Sequence, residues 1–196
     1  MIKHAIATLA LSCCLVSSAV QAQEADCSDW LSADWEGTQQ FWEMATVAIV
    51  TDFLSAGSDV NARRKHGRTP LHMAAAQNGN PEVLVVLLDH GANIGARDLD
   101  GYTPLGFAAS KDSPEVLSVL LASGADVNTR GYKGTTPLHE AAKYTANPKT
   151  IITLLDAGAD GTLVNDDGKT PFDLAEENGA LKDTVAYWAL NDARFE

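Results

Sequence analysis

The chain has 196 residues, 45% of them hydrophobic and seven of them proline, which is the composition of a packed protein rather than a disordered one. Its 26 acidic residues outnumber the 14 lysines and arginines and give a formal net charge of −12. Because such an acidic surface repels phosphate groups, the composition argues against nucleic acid as a partner.

The first 22 residues have the pattern of a cleaved secretory leader. A short positive head precedes an apolar stretch from Ala5 to Val16, and Val20 and Ala22 occupy the −3 and −1 positions of a cleavage site. The apolar stretch is shorter than the ~20 residues of a membrane-spanning helix. We therefore predict a signal peptide of bacterial type over 1–22 and a periplasmic or secreted protein that no membrane holds after cleavage.

Two alternatives to simple cleavage are a buried helix and lipid attachment at Cys13, although Ala10 stands where a lipobox has leucine. Cleavage would leave Cys27 as the only cysteine, so the mature chain could form no internal disulfide.

An N-terminal segment is predicted over 23–36, before the repeated part of the chain. It carries Trp30 and Trp35, which together with Trp42 indicate an aromatic cap for the first repeat. A platform for stacking sugars is the alternative interpretation of these three rings.

Residues 37–196 are predicted to form a repeat domain, because two markers recur in step. A Thr-Pro pair places prolines at 70, 104, 137 and 171, and glycines stand at 57, 91, 124 and 158. Both markers are spaced by 34, 33 and 34 residues. We predict a degenerate first repeat without the Thr-Pro pair, three full repeats and a modified last repeat that caps the stack.

Each full repeat is predicted to contain two helices. Threonine can cap the first helix and proline suits its first position, and a second polar-proline pair opens the second helix. Apolar residues follow at helical spacing, and the marker glycine ends the second helix. The predicted core positions of the second helices are Leu84, Leu87 and Leu88, then Leu117, Leu120 and Leu121, then Ile151, Leu154 and Leu155.

The repeated unit resembles the ankyrin repeat, most closely in Asp100-Gly101-Tyr102-Thr103-Pro104-Leu105 and Gly124-Ala125-Asp126-Val127-Asn128. The resemblance implies an all-α solenoid of about five helix-turn-helix repeats with short β-hairpin-like fingers at one edge. It also implies recognition of a protein partner, and we expect a monomer.

Histidine is the first candidate for chemistry, because His72 and His139 follow the Thr-Pro-Leu motif in two repeats. The resemblance implies that each imidazole bonds backbone and the repeat's own threonine. Gly106 occupies this position in the repeat between them. No nucleophile, zinc or phosphate-loop motif is present, and the Asp-Gly pairs lack the further ligands of a calcium loop. We predict no catalytic site, no metal site and no cofactor.

Basic and aromatic residues gather on the fingers and the adjoining helix face despite the acidic total, which favours this strip as the binding site. The predicted partner-binding residues are Arg63, Arg64, Lys65, Arg97, Leu99, Tyr102, Arg130, Tyr132 and Lys133 on the fingers, and Met73, Gln77, Phe107, Lys111, Glu140 and Tyr144 on the helices.

Two alternatives to this binding site stay open. The finger charges could serve only to keep this edge soluble, or the chain could be a small exported hydrolase built on the repeats. If the strip binds a partner, Arg64→Glu combined with Arg97→Glu is expected to weaken binding and leave the melting temperature nearly unchanged.

Overall fold

The structure is a computed structural model that describes residues 41–195, apart from the side chain of Lys65. The predicted signal peptide, the 23–36 segment, Cys27, Trp30 and Trp35 therefore lie outside the described residues. Within that range, a helical turn at 41–44 is followed by nine α-helices. They are α1 (Val47–Ser55), α2 (Pro70–Gln77), α3 (Pro81–Asp89), α4 (Pro104–Ser110), α5 (Pro114–Ala122), α6 (Pro137–Tyr144), α7 (Pro148–Asp156), α8 (Pro171–Glu177) and α9 (Val185–Ala193).

The first helices of the three full repeats begin with the same cap. Thr69, Thr103 and Thr136 each have an extended backbone with φ of −97° and ψ between 165° and 167°. The proline that follows needs no hydrogen-bond partner for its nitrogen, which is the position where a helix can accept it. Because the caps share one geometry, α2, α4 and α6 start in equivalent positions.

The second helices end at the marker glycines, as predicted. Gly91, Gly124 and Gly158 have φ of 86°, 91° and 85°, a left-handed conformation that other residues adopt only at a cost. The chain then leaves the helix toward the next repeat.

The helices form two layers. α2, α4, α6 and α8 pack side by side in chain order, and so do α1, α3, α5, α7 and α9 in the other layer. Each first helix also packs against the second helix of its own repeat. Since contacts join a repeat to itself and to its neighbours, the molecule is a solenoid.

The core runs between the two layers along the whole described chain. In the first layer, paired alanines such as Ala74 and Ala75 are buried and allow neighbouring helices to approach closely. The predicted second-helix positions are buried at their first two places, whereas Leu88, Leu121 and Leu155 are partly buried. The predicted all-α repeat solenoid is confirmed, and the fingers are turns without assigned strands among residues 41–195.

Candidate protein-binding surface

Four hairpin-like turns, which we call fingers 1 to 4, lie at 63–68, 97–102, 130–135 and 164–169, before α2, α4, α6 and α8. In each finger the amide of the second residue donates a hydrogen bond of 2.7–3.0 Å to the carbonyl of the sixth. The fifth residue is a glycine with φ between 69° and 82°. The four bonds join Arg64 to Arg68, Asp98 to Tyr102, Gly131 to Thr135, and Asn165 to Lys169.

A row of arginines, which we call the arginine ladder, links each finger to the next. The guanidinium of Arg63 donates to the carbonyl of Arg97 at 2.8 Å, that of Arg97 donates to the carbonyl of Arg130, and that of Arg130 donates to the carbonyl of Val164 at 2.7 Å. The three residues are exposed. They are nevertheless engaged in holding the fingers together.

The arginine ladder changes the expected effect of Arg97→Glu. Replacing Arg97 removes a hydrogen bond between fingers 2 and 3, so we expect this substitution to lower the melting temperature. A loss of partner binding in that variant would therefore mix a structural effect with a surface effect.

Fingers 1 and 3 have a second kind of link to the finger that follows. At their tips His66 and Lys133 have φ of 69° and 52°, which is unfavourable for residues with a side chain. The carbonyl of each accepts a backbone hydrogen bond from the next finger, from Leu99 at 2.8 Å and from Asp166 at 2.9 Å. These inter-finger bonds offset the conformational cost.

The two Leu-His histidines connect a first helix to the next finger. The amide and hydroxyl of Thr69 donate to Nδ1 of His72 at 3.1 and 2.9 Å, and Nε2 of His72 donates to the carbonyl of Tyr102 at 3.0 Å. His139 makes the same three bonds in the fourth repeat, at 3.2, 2.8 and 3.0 Å. Because an amide can only donate, Nδ1 is the acceptor and the proton is on Nε2.

Both imidazoles are fully buried. Burial lowers the pKa of His72 and of His139, because the charged form would lose its hydration. Neutral, fully bonded rings in separate repeats have a structural role, as the resemblance implies.

The third repeat lacks this histidine, and a groove of about 280 Å³ lies beside Gly106. A Cβ on Gly106 would be 3.6 Å from Cδ1 of Tyr102, so the tyrosine ring lies over the glycine. The ring also lies against Gly131, where a Cβ would come within 2.9 Å of Cδ1. The residues that line the groove are Tyr102, Gly106, Phe107, Ser110, Lys111, Glu140 and Tyr144.

The groove contains a carboxylate in a sheltered place. Glu140 is only 7% exposed, and its Oε1 accepts a hydrogen bond of 3.3 Å from the hydroxyl of Tyr102. Burial raises the pKa of Glu140, and burial together with the nearby carboxylate raises the pKa of Tyr102 to about 12. The phenol therefore stays protonated and the carboxylate is sparsely solvated.

Phe107 forms one wall of the groove and packs against residues of the preceding repeat. Its ring is 5.8 Å from that of His72 and nearly perpendicular to it, and the guanidinium of Arg68 lies 4.5 Å from its centre. Arg68 also forms a 3.3 Å ion pair with the buried Asp98 of finger 2. The wall is thus fixed by contacts with the preceding repeat and finger.

The structure brings five of the predicted binding residues together around the groove: Tyr102, Phe107, Lys111, Glu140 and Tyr144. The predicted finger residues Leu99, Tyr132 and Lys133 are exposed at the finger edge, Arg64 and Gln77 are partly buried, and the side chain of Lys65 lies outside the description. Met73 was expected on the exposed strip and is instead only 3% exposed, because it belongs to the core. It is therefore not part of the surface.

One feature of the surface escapes a reading of residue types alone. Gly106 makes room for the groove, and the signal for it was its place at a position that holds histidine in two other repeats. Lys143, whose position in the sequence already places it on the same helix face as Glu140 and Tyr144, lies with its ammonium 5.0 Å from the centre of the Tyr144 ring, next to the groove.

Within residues 41–195, no group of three or more His, Cys, Asp or Glu residues is arranged to hold a metal ion. None of the helices described there is long and apolar enough to span a bilayer.

Comparison with protein families agrees with the geometry. A model described as ankyrin repeats in three copies matches residues 43–131, and one described as ankyrin repeats in many copies matches residues 120–175. The chain belongs to the ankyrin-repeat family. Ankyrin repeats are in general non-enzymatic modules for protein–protein interaction, which favours a scaffold over an enzyme.

The individual proteins that resemble this chain match less than half of it, and the chain spans only a small part of each of them. Potassium channel AKT1 of Oryza sativa subsp. indica is 38% identical over 66 residues, which are 34% of this chain and 7% of the channel. An ankyrin repeat-containing protein of Schizosaccharomyces pombe is 40% identical over 57 residues, 29% of this chain and 27% of that protein. Human Inversin is 36% identical over 89 residues, 42% of this chain and 8% of Inversin. These relatives are eukaryotic, so they lend no support to the bacterial origin predicted from the leader.

Proposed function

We propose that this protein is a non-enzymatic scaffold that binds a protein partner through its fingers and the groove beside α4 and α6. We also propose that it acts in the periplasm or outside the cell, after removal of a leader at 1–22. The family supports the first statement, and the leader-like sequence supports the second.

The observation that carries the binding proposal is the convergence of Tyr102, Phe107, Lys111 and Tyr144 on one groove. Tyr144 is 57% exposed. Aromatic side chains with a polar tip supply much of the energy of protein interfaces, because they bury a large area and lose little entropy. Tyr102, which lines the groove, belongs to finger 2, so a partner seated in the groove also contacts that finger.

The linked fingers support the same proposal. Each finger is joined to the next by an arginine, and two pairs are joined by a backbone bond as well. A surface held in this way is ordered before the partner arrives, so binding costs less conformational entropy.

The test is affinity capture of partners from periplasmic extract and culture medium by the mature protein and two variants. Tyr132→Ala combined with Tyr144→Ala removes two exposed rings from the proposed surface. Val85→Ser changes an exposed residue on α3, in the other helix layer, and serves as the control.

We expect the control to retain the partner and the double variant to retain at least about tenfold less, the loss expected when two interface aromatics are truncated. Equal retention by both variants would contradict the proposed surface. The location is tested by sequencing the amino terminus of the cell-derived protein. A terminus other than Gln23 on most molecules would contradict removal of 1–22.

A further inference from the structure

One position in the first helices changes character along the stack. The residue four places after the capping threonine is Met73, Phe107, Glu140 and Leu174 in successive repeats. Met73, Phe107 and Leu174 are apolar, whereas Glu140 is a carboxylate that is only 7% exposed. Since withdrawing a carboxylate from water is costly, a charge at this otherwise apolar position calls for a compensating group.

The compensation within the chain comes mainly from neutral groups. The Tyr102 hydroxyl donates to Glu140 over 3.3 Å, at the long end of hydrogen-bond distances, and the side chain of Thr135 also stabilises the carboxylate. The ammonium of Lys143 lies over the Tyr144 ring and adds a weaker attraction, so burial still raises the pKa of Glu140. The carboxylate borders the groove, so a cation entering from outside can reach it.

The walls of the groove suit a long basic side chain. Tyr102, Phe107 and Tyr144 make the lining largely aromatic, which suits contact with the aliphatic stem of such a side chain. An ammonium, that of Lys143, already lies 5.0 Å from the centre of the Tyr144 ring, so this ring attracts cations. A volume of about 280 Å³ is small for a whole ligand and suits one inserted side chain.

Charges around the groove both repel and attract a basic side chain. Lys111 is exposed on its lining and repels a second cation, as does Lys143. The chain as a whole carries a net charge of −12, which attracts a basic partner over longer distances. A basic side chain is therefore favoured when its head passes Lys111 and reaches Glu140.

We propose that the groove holds an arginine or lysine side chain of the protein partner, with the carboxylate of Glu140 as its counter-charge. This inference rests on the proposed protein-binding function and specifies the chemistry of the partner at one site.

The test uses blocked tripeptides with arginine, citrulline, leucine or glutamate between two glycines, titrated into the ¹⁵N-labelled protein at pH 7.5. Citrulline has nearly the shape of arginine without its charge. We expect the arginine peptide to shift the amide signals of Gly106 and Lys111 and to bind about tenfold more tightly than the citrulline peptide, because bonds between charged groups are the stronger ones.

Three variants give signed controls. Glu140→Gln keeps an acceptor for Tyr102 and should reduce binding of the arginine peptide about tenfold, to the level of citrulline. Tyr144→Ala should reduce it about threefold through loss of a cation–π contact. Lys111→Gln removes a repelling charge and should strengthen binding about twofold.

Several results would overturn the inference. They are tighter binding of the leucine or glutamate peptide, equal binding of the arginine peptide to Glu140→Gln, or no shift at Gly106 with any peptide. The outcome is separate from that of the capture experiment. A captured partner together with an unresponsive groove would contradict only the inference. Arginine binding without a captured partner would support the chemistry of the groove and contradict the scaffold function.

Discussion

The second and fourth repeats differ from the third in how the first helix meets the next finger. His72 and His139 fill that space and bond the carbonyls of Tyr102 and Lys169. In the third repeat Gly106 leaves the space unfilled, Tyr102 covers part of it, and a groove remains. One position therefore either cross-links two repeats or creates a concavity, and the rest of the repeat tolerates both.

The largest expected effect tests whether the third and fourth repeats, which differ at this position, have equally well packed cores. Leu105 and Leu138 are equivalent, fully buried residues of the third and fourth repeats. Truncation of either to alanine should lower the free energy of unfolding by about 2–5 kcal/mol through the cavity left behind. Urea denaturation measures it, and a loss below about 1 kcal/mol in only one variant would show that the two repeats differ in the core as well.

The next effect concerns the histidine bridge itself. His139→Ala should lower the free energy of unfolding by about 1–3 kcal/mol, because it leaves the buried amide of Thr136 without its acceptor and removes one of the two bonds to the carbonyl of Lys169. Gly106→Ala, at the equivalent position of the third repeat, is the matched control and should not destabilise the protein. Similar losses in both would mean that the bridge contributes nothing specific.

The arginine ladder should matter most where the histidine is missing. Arg97 links fingers 2 and 3, in the repeat that has Gly106. Arg130 links finger 3 to finger 4, and His139 also joins α6 to finger 4. We expect Arg97→Ala to cost about 1 kcal/mol and Arg130→Ala less, with exposed Lys182→Ala as a neutral control. Denaturation curves decide the order, and a larger loss for Arg130→Ala would contradict it.

The pH dependence should come from the second and fourth repeats. Between pH 6.5, the ordinary pKa of histidine, and the lower native pKa, the unfolded chain binds more protons than the native one. Stability should therefore fall as the pH drops below about 6.5, by up to about 1.4 kcal/mol per pH unit for each histidine. Glu140, whose pKa is raised, acts in the opposite direction closer to its usual range. Unfolding free energies at pH 7.5 and 5.5 measure this slope, and His139→Gln should reduce it; an unchanged slope would contradict its source.

The smallest effect sharpens the comparison at Gly106. A Cβ there meets only ordinary contacts, and glycine is a poor helix former, so Gly106→Ala should raise the free energy of unfolding by about 0.5 kcal/mol. Thermal denaturation detects the change. A destabilisation would show that the glycine is required by the backbone rather than by the groove.

The sequence predicts most of the fold because its markers act locally. A threonine before a proline caps a helix, and a glycine ends one, wherever they occur, so register and repeat number follow from spacing. Met73 shows the limit of this reasoning. It has the same register as Phe107, yet it is part of the core, because burial depends on which neighbours cover a position.

The candidate site was only partly predictable for a related reason. The spacing of Arg63, Arg97 and Arg130 was visible in the sequence. Their bonds to carbonyls, however, depend on how consecutive fingers are positioned relative to each other in the folded stack. The groove results from the absence of a side chain at Gly106. The position of the Tyr102 ring over Gly106 follows from its packing against Gly131. Such three-dimensional coincidences have no pattern in a single sequence.

The arginine ladder runs in one direction only, since each arginine donates to the finger that follows, and the carbonyls of Arg97 and Arg130 accept from the finger before. A duplicated stretch beginning at Arg97 and ending at Thr129 would bring its own guanidinium donor and its own carbonyl acceptor. It could therefore be inserted in the middle of the ladder and keep hydrogen bonds to the fingers on both sides. Growth beyond finger 4 is different, because Val164 accepts a bond but has no group with which to extend the row. The array can therefore lengthen from within more readily than at its carboxyl end.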